Sequence, residues 1–130
     1  ADLVKPEADL IAAYDDPLGV TASFNRNLLV RINHELDADF DVTQFTHRVV
    51  WNAHDASVES YLVSERDQTV CITEAGRCVR LSAGEAILTE SSHKYEPDQV
   101  VSMGEAAGFR RGAQWIESSA AFALTLFEVS

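Results

Sequence analysis

The sequence predicts an α+β domain in which helices come first and an antiparallel sheet follows. Three observations carry that prediction. Val20, Phe24, Leu28, Ile32 and Leu36 recur every fourth residue along a helix expected from Thr21 to Asp37, which is the period of an amphipathic helix. After Asp41 the period changes to two, and short runs of strand-forming residues alternate with turn residues. The gaps between those runs are too short for parallel crossovers, so the strands must pair antiparallel, as a meander. A chain of 130 residues, 46% apolar and 24% charged, has the length and composition of one globular domain.

Taken in order, Ala1-Asp2-Leu3-Val4 reads as the end of a strand closed by Pro6. That is a first sign of a fragment, with N-terminal processing as the competing explanation. Glu7 to Tyr14 has helical spacing, with Leu10, Ile11 and Tyr14 on one face. Asp15-Asp16-Pro17-Leu18-Gly19 ends it, because Pro17 keeps Asp16 out of the helical region and Gly19 supplies turn freedom. On the following helix Asn25, Arg26, Asn33 and Glu35 fall towards other faces; Asn25 and Asn27 could lie against a cleft, although amides on a helix surface are usually just solvated, and His34 is expected as a partly exposed histidine. Strands are expected at Thr46–Trp51, Val58–Ser64, Thr69–Thr73, Cys78–Leu81 and Ala86–Glu90. Glu96-Pro97-Asp98 places proline and acids in the first turn of a further helix, which Gly108 closes. Phe109–Glu117 and Ala121–Val129 then form two strands about a turn at Ser118-Ser119. Trp51 and Trp115 are expected in the core or a cleft wall, and Lys94 in a surface ion pair of little energetic consequence.

The formal charge of -11 disfavours nucleic acid and anionic membranes as partners, since both demand clustered Lys and Arg. No apolar run approaches a membrane-spanning length, and no basic-then-apolar stretch opens the chain. The expected compartment is therefore the cytoplasm, and Cys71 and Cys78 are expected there as reduced packing residues. Neither they nor His47, His54 and His93 fall into a metal-ligand spacing, so no metal is expected.

The stretch Gly84-Glu85-Ala86-Ile87-Leu88-Thr89-Glu90-Ser91-Ser92-His93-Lys94-Tyr95 begins as an apolar strand and runs without a turn signal into polar residues. In extended backbone Glu90 and Ser92 share one face. A carboxylate and a hydroxyl there can accept from one N–H and donate to another ring nitrogen. The plainer reading is a strand fraying into a polar loop.

Two stretches go beyond pattern. One runs from Ala13-Tyr14-Asp15-Asp16-Pro17-Leu18-Gly19 through Phe24-Asn25-Arg26-Asn27 to Asn33-His34-Glu35-Leu36-Asp37-Ala38-Asp39-Phe40-Asp41; the other is Leu88-Thr89-Glu90-Ser91-Ser92-His93-Lys94-Tyr95. Both resemble the ergothioneine-pathway histidine-specific methyltransferases, which use S-adenosylmethionine to trimethylate the α-amino nitrogen of L-histidine and so form hercynine. The resemblance extends over essentially the whole chain. It implies that residues 1–4 end a strand of the methyltransferase domain and that residues 5–94 are an accessory α+β domain capping the substrate. Residues 95–130 would then be the helix, strand and antiparallel strand completing a Rossmann-like class I methyltransferase sheet. The resemblance also implies that Tyr14 helps to hold the substrate carboxylate and that Glu90 and Ser92 bind the imidazole. Methyl transfer is a direct displacement that needs alignment rather than a protein nucleophile, and no catalytic residue is assigned.

Two departures bear on this. No Gly-x-Gly loop is present to let backbone approach a nucleoside, so S-adenosylmethionine is expected to bind outside this chain and the chain alone to be inactive. Ser60 stands where the resemblance leads us to expect a larger apolar side chain. A sheet cut short would leave an apolar face open, inviting dimerisation. The alternatives are a free-standing module that binds an amino acid or other small molecule and a non-catalytic interaction domain.

Overall fold

The computed structural model describes residues 1–129. Two helices, α1 (Glu7–Tyr14) and α2 (Val20–Leu36), precede a 3-10 turn at Val42–Gln44 and the strands β1 (Phe45–Asn52), β2 (Ser57–Ser64), β3 (Gln68–Ile72), β4 (Arg77–Leu81) and β5 (Ala86–His93). Helix α3 (Pro97–Ala106) and strands β6 (Phe109–Glu117) and β7 (Phe122–Val129) complete the chain. The α+β class and the order of elements match the sequence expectation.

The turn before α2 is built from its own side chains. The Asp16 carboxylate accepts the backbone N–H groups of Val20 (3.1 Å) and Thr21 (2.7 Å), two donors that a helix start leaves unpaired. Gly19 sits at the N-cap with φ of 70°, a conformation that costs other residues steric strain. Helix α3 begins as its sequence predicts, with proline in the first turn and a capping box between Glu96 and Gln99.

The buried face of α2 is turned by about one residue from the expected stripe. Asn25 and Leu29 are the buried residues, and Ile32 packs against the core beside Leu29. Phe24 is 77% exposed, and Val20, Leu28 and Leu36 are also exposed. The period was real; the sheet lies along the neighbouring face of the helix. The core that α2 covers is Leu29, Phe45, Leu62, Val70 and Leu81.

All pairing within the sheets is antiparallel, but the five strands do not form one meander. The order is β1-β2-β5, and β3-β4 is a separate hairpin inserted between β2 and β5. In that hairpin Cys71 is the direct partner of Cys78, and the two form a disulfide with Cα atoms 4.0 Å apart. The expectation of reduced cysteines is thereby corrected: antiparallel register brings two residues seven apart face to face across the turn.

Strand β5 extends through Ser91, Ser92 and His93 rather than fraying at Glu90. On β2, Val58, Ser60, Leu62 and Ser64 point into the helix-facing side, and all are buried. Their β5 partners are Ser92 for Val58, Glu90 for Ser60 and Ile87 for Leu62. The register shifts between Ser60 and Tyr61, so Thr89 is an extra residue, a β-bulge whose hydroxyl donates to the Ser60 carbonyl at 2.9 Å.

Residues 1–4 tie the two ends of the chain together. Leu3 is buried, bridging Tyr95 in parallel, while Asp2 bridges Phe122 antiparallel. The β6-β7 hairpin packs Phe127 against α3 at Gly104 and leaves Leu124, Leu126 and Trp115 outward. Trp115 is 56% exposed, so of the two places expected for it, core or cleft wall, the core is ruled out.

Candidate functional site

A cleft of about 290 Å³ opens between the first half of α2 and the edge where β2 meets β5. Phe24 and Leu28 give it an apolar wall with Asn25 beside them on α2, and Ser60, Thr89 and Glu90 line its sheet side. Arg31, held by Glu35 one turn on, stands at one end. Helix α2 therefore turns part of its outward stripe into cleft surface.

Two groups on the cleft lack protein partners among the described residues. The Ser60 hydroxyl is buried and makes no hydrogen bond. The Glu90 carboxylate lies exposed at the cleft, and none of the hydrogen bonds or ion pairs among the described residues engages it. They are Cα partners on adjacent strands.

Beyond Glu90 on the same face, Ser92 belongs to a connected cluster. Its oxygen accepts from the Tyr14 hydroxyl at 2.8 Å and from Lys94 Nζ at 2.9 Å. Lys94 also donates to the Tyr14 oxygen at 2.7 Å and pairs with Asp2 at 2.8 Å. Asp2 in turn pairs with Lys5 at 3.0 Å. The ammonium lies 4.7 Å from the centre of the Tyr14 ring, within reach of its π face.

Lys94 is 2% exposed, so the expected surface ion pair is a buried one. Burial opposes its charge, but the hydrogen bonds to Asp2 and Tyr14 and their attraction outweigh it and raise its pKa. For Asp2, burial acts against ionisation, and Lys94 and Lys5 together overcome it and lower the pKa. Both groups are therefore charged at neutral pH.

A second relay fixes Tyr14 from its backbone. His47 lies on the buried face of β1; its Nδ1 is 2.9 Å from Asn25 Nδ2 and its Nε2 is 2.9 Å from the Tyr14 carbonyl. Asn25 Nδ2 also donates to the Tyr61 carbonyl, so the amide nitrogen faces His47 and Nδ1 must accept from it. The proton then sits on Nε2 and is donated to Tyr14. The chain stops being helical at Tyr14, where such a carbonyl has no partner within the helix.

Of the three residues singled out in the sequence, Glu90 and Ser92 share a face, and Tyr14 meets Ser92 rather than Glu90. Asp2 and His47 carry no role expected from the sequence and Lys94 only that of a surface ion pair, whereas Asn25 lines the cleft against which the sequence allowed it to lie. Ser92 and Lys94 sit two residues apart in extended chain, which was a readable signal for the lysine. A lone histidine between Phe45 and Val49 on an apolar strand face was one for His47. Among the described residues no group of three or more His, Cys, Asp or Glu side chains could hold a metal. Among the described residues Gly19, Gly76, Gly84 and Gly108 adopt positive φ in four separate turns.

The profile of the family described as histidine-specific methyltransferase, SAM-dependent, matches residues 1–129. The chain belongs to this family. It is 45% identical over 125 residues to the histidine N-alpha-methyltransferase of Mycobacterium tuberculosis (strain CDC 1551 / Oshkosh), covering 96% of this chain and 39% of that protein. It is 42% identical over 125 residues to the protein of the same name from Mycolicibacterium smegmatis (strain ATCC 700084 / mc(2)155), with the same coverage. The chain thus spans about two-fifths of the length of the curated relatives it matches.

Proposed function

We propose that this chain is the substrate-recognising part of an enzyme that methylates the α-amino nitrogen of L-histidine with S-adenosylmethionine. The product would be hercynine, on the way to ergothioneine. The observation that carries the reading is Glu90, a carboxylate on a cleft wall with no donor of its own among the described residues. A neutral imidazole has one N–H and one bare nitrogen. Glu90 accepts the first, and the Ser92 hydroxyl serves the second. Side chains two residues apart on a strand start about 6.8 Å apart, and a small ring with a hydrogen bond of about 2.8 Å at each side needs somewhat more, which the longer Glu90 side chain supplies by leaning away from Ser92.

Tyr14 acts in this reading through Ser92. Its proton lies toward Ser92, so direct grip on a substrate carboxylate would require it to exchange that partner. Residues 5–94 are the capping domain, and residues 1–4 and 95–130 belong to the Rossmann-like methyltransferase sheet. The methyl donor is held by polypeptide beyond this chain, in keeping with relatives more than twice as long and with glycines too scattered to form a phosphate or nucleoside loop.

The test is calorimetry on the full-length protein. Glu90→Ala should weaken L-histidine binding about 10- to 100-fold, the range of a charge-assisted hydrogen bond, and leave S-adenosylmethionine affinity within twofold. Equal losses for both ligands, or none for histidine, would remove the assignment.

A further inference from the structure

We propose that Lys94 is a positioning residue: with Tyr14 it fills both acceptor positions of the Ser92 hydroxyl, so that Ser92 meets the substrate ring only as a donor. The proposal rests on the histidine-recognition reading above.

A serine hydroxyl carries one O–H and two lone pairs, whereas an ammonium has three N–H groups and accepts nothing. The three donors of Lys94 go to Asp2 at 2.8 Å, Tyr14 at 2.7 Å and Ser92 at 2.9 Å. Tyr14 and Ser92 are 2.8 Å apart, and between two hydroxyls the more acidic phenol is the better donor. Lys94 sharpens that preference, because Tyr14 already accepts from it. Both lone pairs of Ser92 are then occupied, one by Lys94 and one by Tyr14. Only its proton remains, and it must point away from both.

Hydrogen bonds in this cluster therefore all run one way, from the ammonium through the phenol to the serine. The charged groups facing Lys94 are Asp2 and, behind it, Lys5 from the N-terminal segment; α1 contributes Tyr14. Asp2 keeps Lys5 as a partner if Lys94 is replaced, so the substitution does not strand a lone buried carboxylate. The consequence is a choice of ring state. The nitrogen facing Ser92 must be bare, and the N–H must face Glu90. An imidazolium, with N–H on both nitrogens, opposes a donor with a donor.

The experiment uses the full-length protein and measures L-histidine affinity calorimetrically at pH 8 and pH 5.5, either side of an ordinary imidazole pKa of about 6.5. Wild type should lose about tenfold in affinity between the two, following the neutral fraction of the ring. Lys94→Met frees a lone pair on Ser92 and lets the hydroxyl turn to accept, so the loss should shrink to within about threefold. Lys94→Gln keeps amide donors without the charge and should restore the wild-type dependence. At pH 8, Lys94→Met added to Ser92→Ala should weaken binding no further than Ser92→Ala alone. Additive losses, or a pH dependence unchanged by Lys94→Met, would overturn the proposal. Should Lys94→Met fail to fold, Tyr14→Phe vacates the other lone pair and must blunt the pH dependence in the same way. A Glu90→Ala variant that binds normally sinks the recognition reading as a whole; one that binds weakly while Lys94 and Ser92 act additively sinks only the relay.

Discussion

Ser60 and Glu90 face each other across the β2–β5 pairing because Thr89 is an extra residue in β5. Ile87 and Ser92 are five positions apart, an odd number, and in regular extended chain they would point to opposite faces. The bulge restores the parity, so Ile87 packs on the core near Leu62 while Glu90 and Ser92 remain on the same side. Deleting Thr89 leaves Ile87 and Ser92 four positions apart, an even number, so a regular strand still holds Ile87, Glu90 and Ser92 on one face. What is lost is the local bend of the bulge and the Thr89 hydroxyl's bond to the Ser60 carbonyl. We expect a folded protein by circular dichroism that still binds L-histidine. Loss of binding in a folded variant would mean that the bend at the bulge, and not the shared face, sets the site.

Ser60 should be dispensable for stability. Its buried hydroxyl has no partner, and removing an unsatisfied polar group leaves nothing unpaired behind. Ser60→Ala is expected to change the urea midpoint by less than about 0.5 kcal/mol in stability or to raise it slightly. Ser60→Leu projects into the cleft beside Glu90, as the larger apolar side chain expected at this position in histidine-specific relatives would, and should narrow the cleft while histidine still binds and the protein stays folded. A large stability loss in Ser60→Ala would show that the hydroxyl has a partner.

What the sequence made legible was periodic and local. The two helices, the strand runs and the proline-started α3 follow from spacing, caps and turn residues, each set within a few neighbours. The partners of a face were not legible. Val20, Phe24 and Leu28 repeat as a buried stripe would, yet Asn25 and Leu29 meet the sheet, because a period does not say what covers it. The same limit hid the β3-β4 insertion, since β2 and β5 are joined by register across more than twenty residues. Glu90 and Ser92 were readable as a same-face pair because alternation is local, although their common side with Ile87 depends on a bulge that no residue announces. Lys94 reads as a surface lysine because two of its three partners, Asp2 and Tyr14, lie at least 80 residues away in sequence, and only Ser92 is local.

Acid should loosen α2 at its start. Hydrogen bonds from the Thr21 backbone and hydroxyl, with the Val20 N–H, hold Asp16 down to about 2 from its usual 3.8. A folded-state pKa below the unfolded one means that the contribution is complete above about pH 4 and fades as pH falls through about 2. In thermal melts Asp16→Ala should lower Tm at pH 7, and the gap to wild type should close near pH 2. A constant gap across that range would separate the cap from the charge of Asp16.

Reduction should weaken the inserted hairpin. Cys71 and Cys78 are seven residues apart, and closing so short a loop restricts the unfolded chain by roughly 2–3 kcal/mol in the chain-entropy account. Urea unfolding with and without reductant should differ by no more than that, and the Cys71→Ser, Cys78→Ser double variant should match the reduced protein. An unfolding curve indifferent to reductant, with both thiols alkylated before denaturation, would show the bridge to be absent in solution.

The packing of α3 on the terminal hairpin turns on the absence of one side chain. A Cβ at Gly104 would lie 2.1 Å from Cε1 of Phe127, far inside contact distance. The ring has little freedom to retreat, since it also packs at a tilt against Phe109 with centroids 6.3 Å apart. Two effects compete in Gly104→Ala. Alanine favours the helix by about 1 kcal/mol, whereas overpacking of this kind costs about 1–3 kcal/mol. The clash is with ring atoms held on their other side, so the loss should win and the variant should unfold at lower urea. Phe127→Leu removes the ring atoms that collide, and in that background the same Gly104→Ala change should be neutral or stabilising. A cycle in which the two substitutions simply add would mean that α3 shifts on the sheet without cost, and that Gly104 does not set their approach.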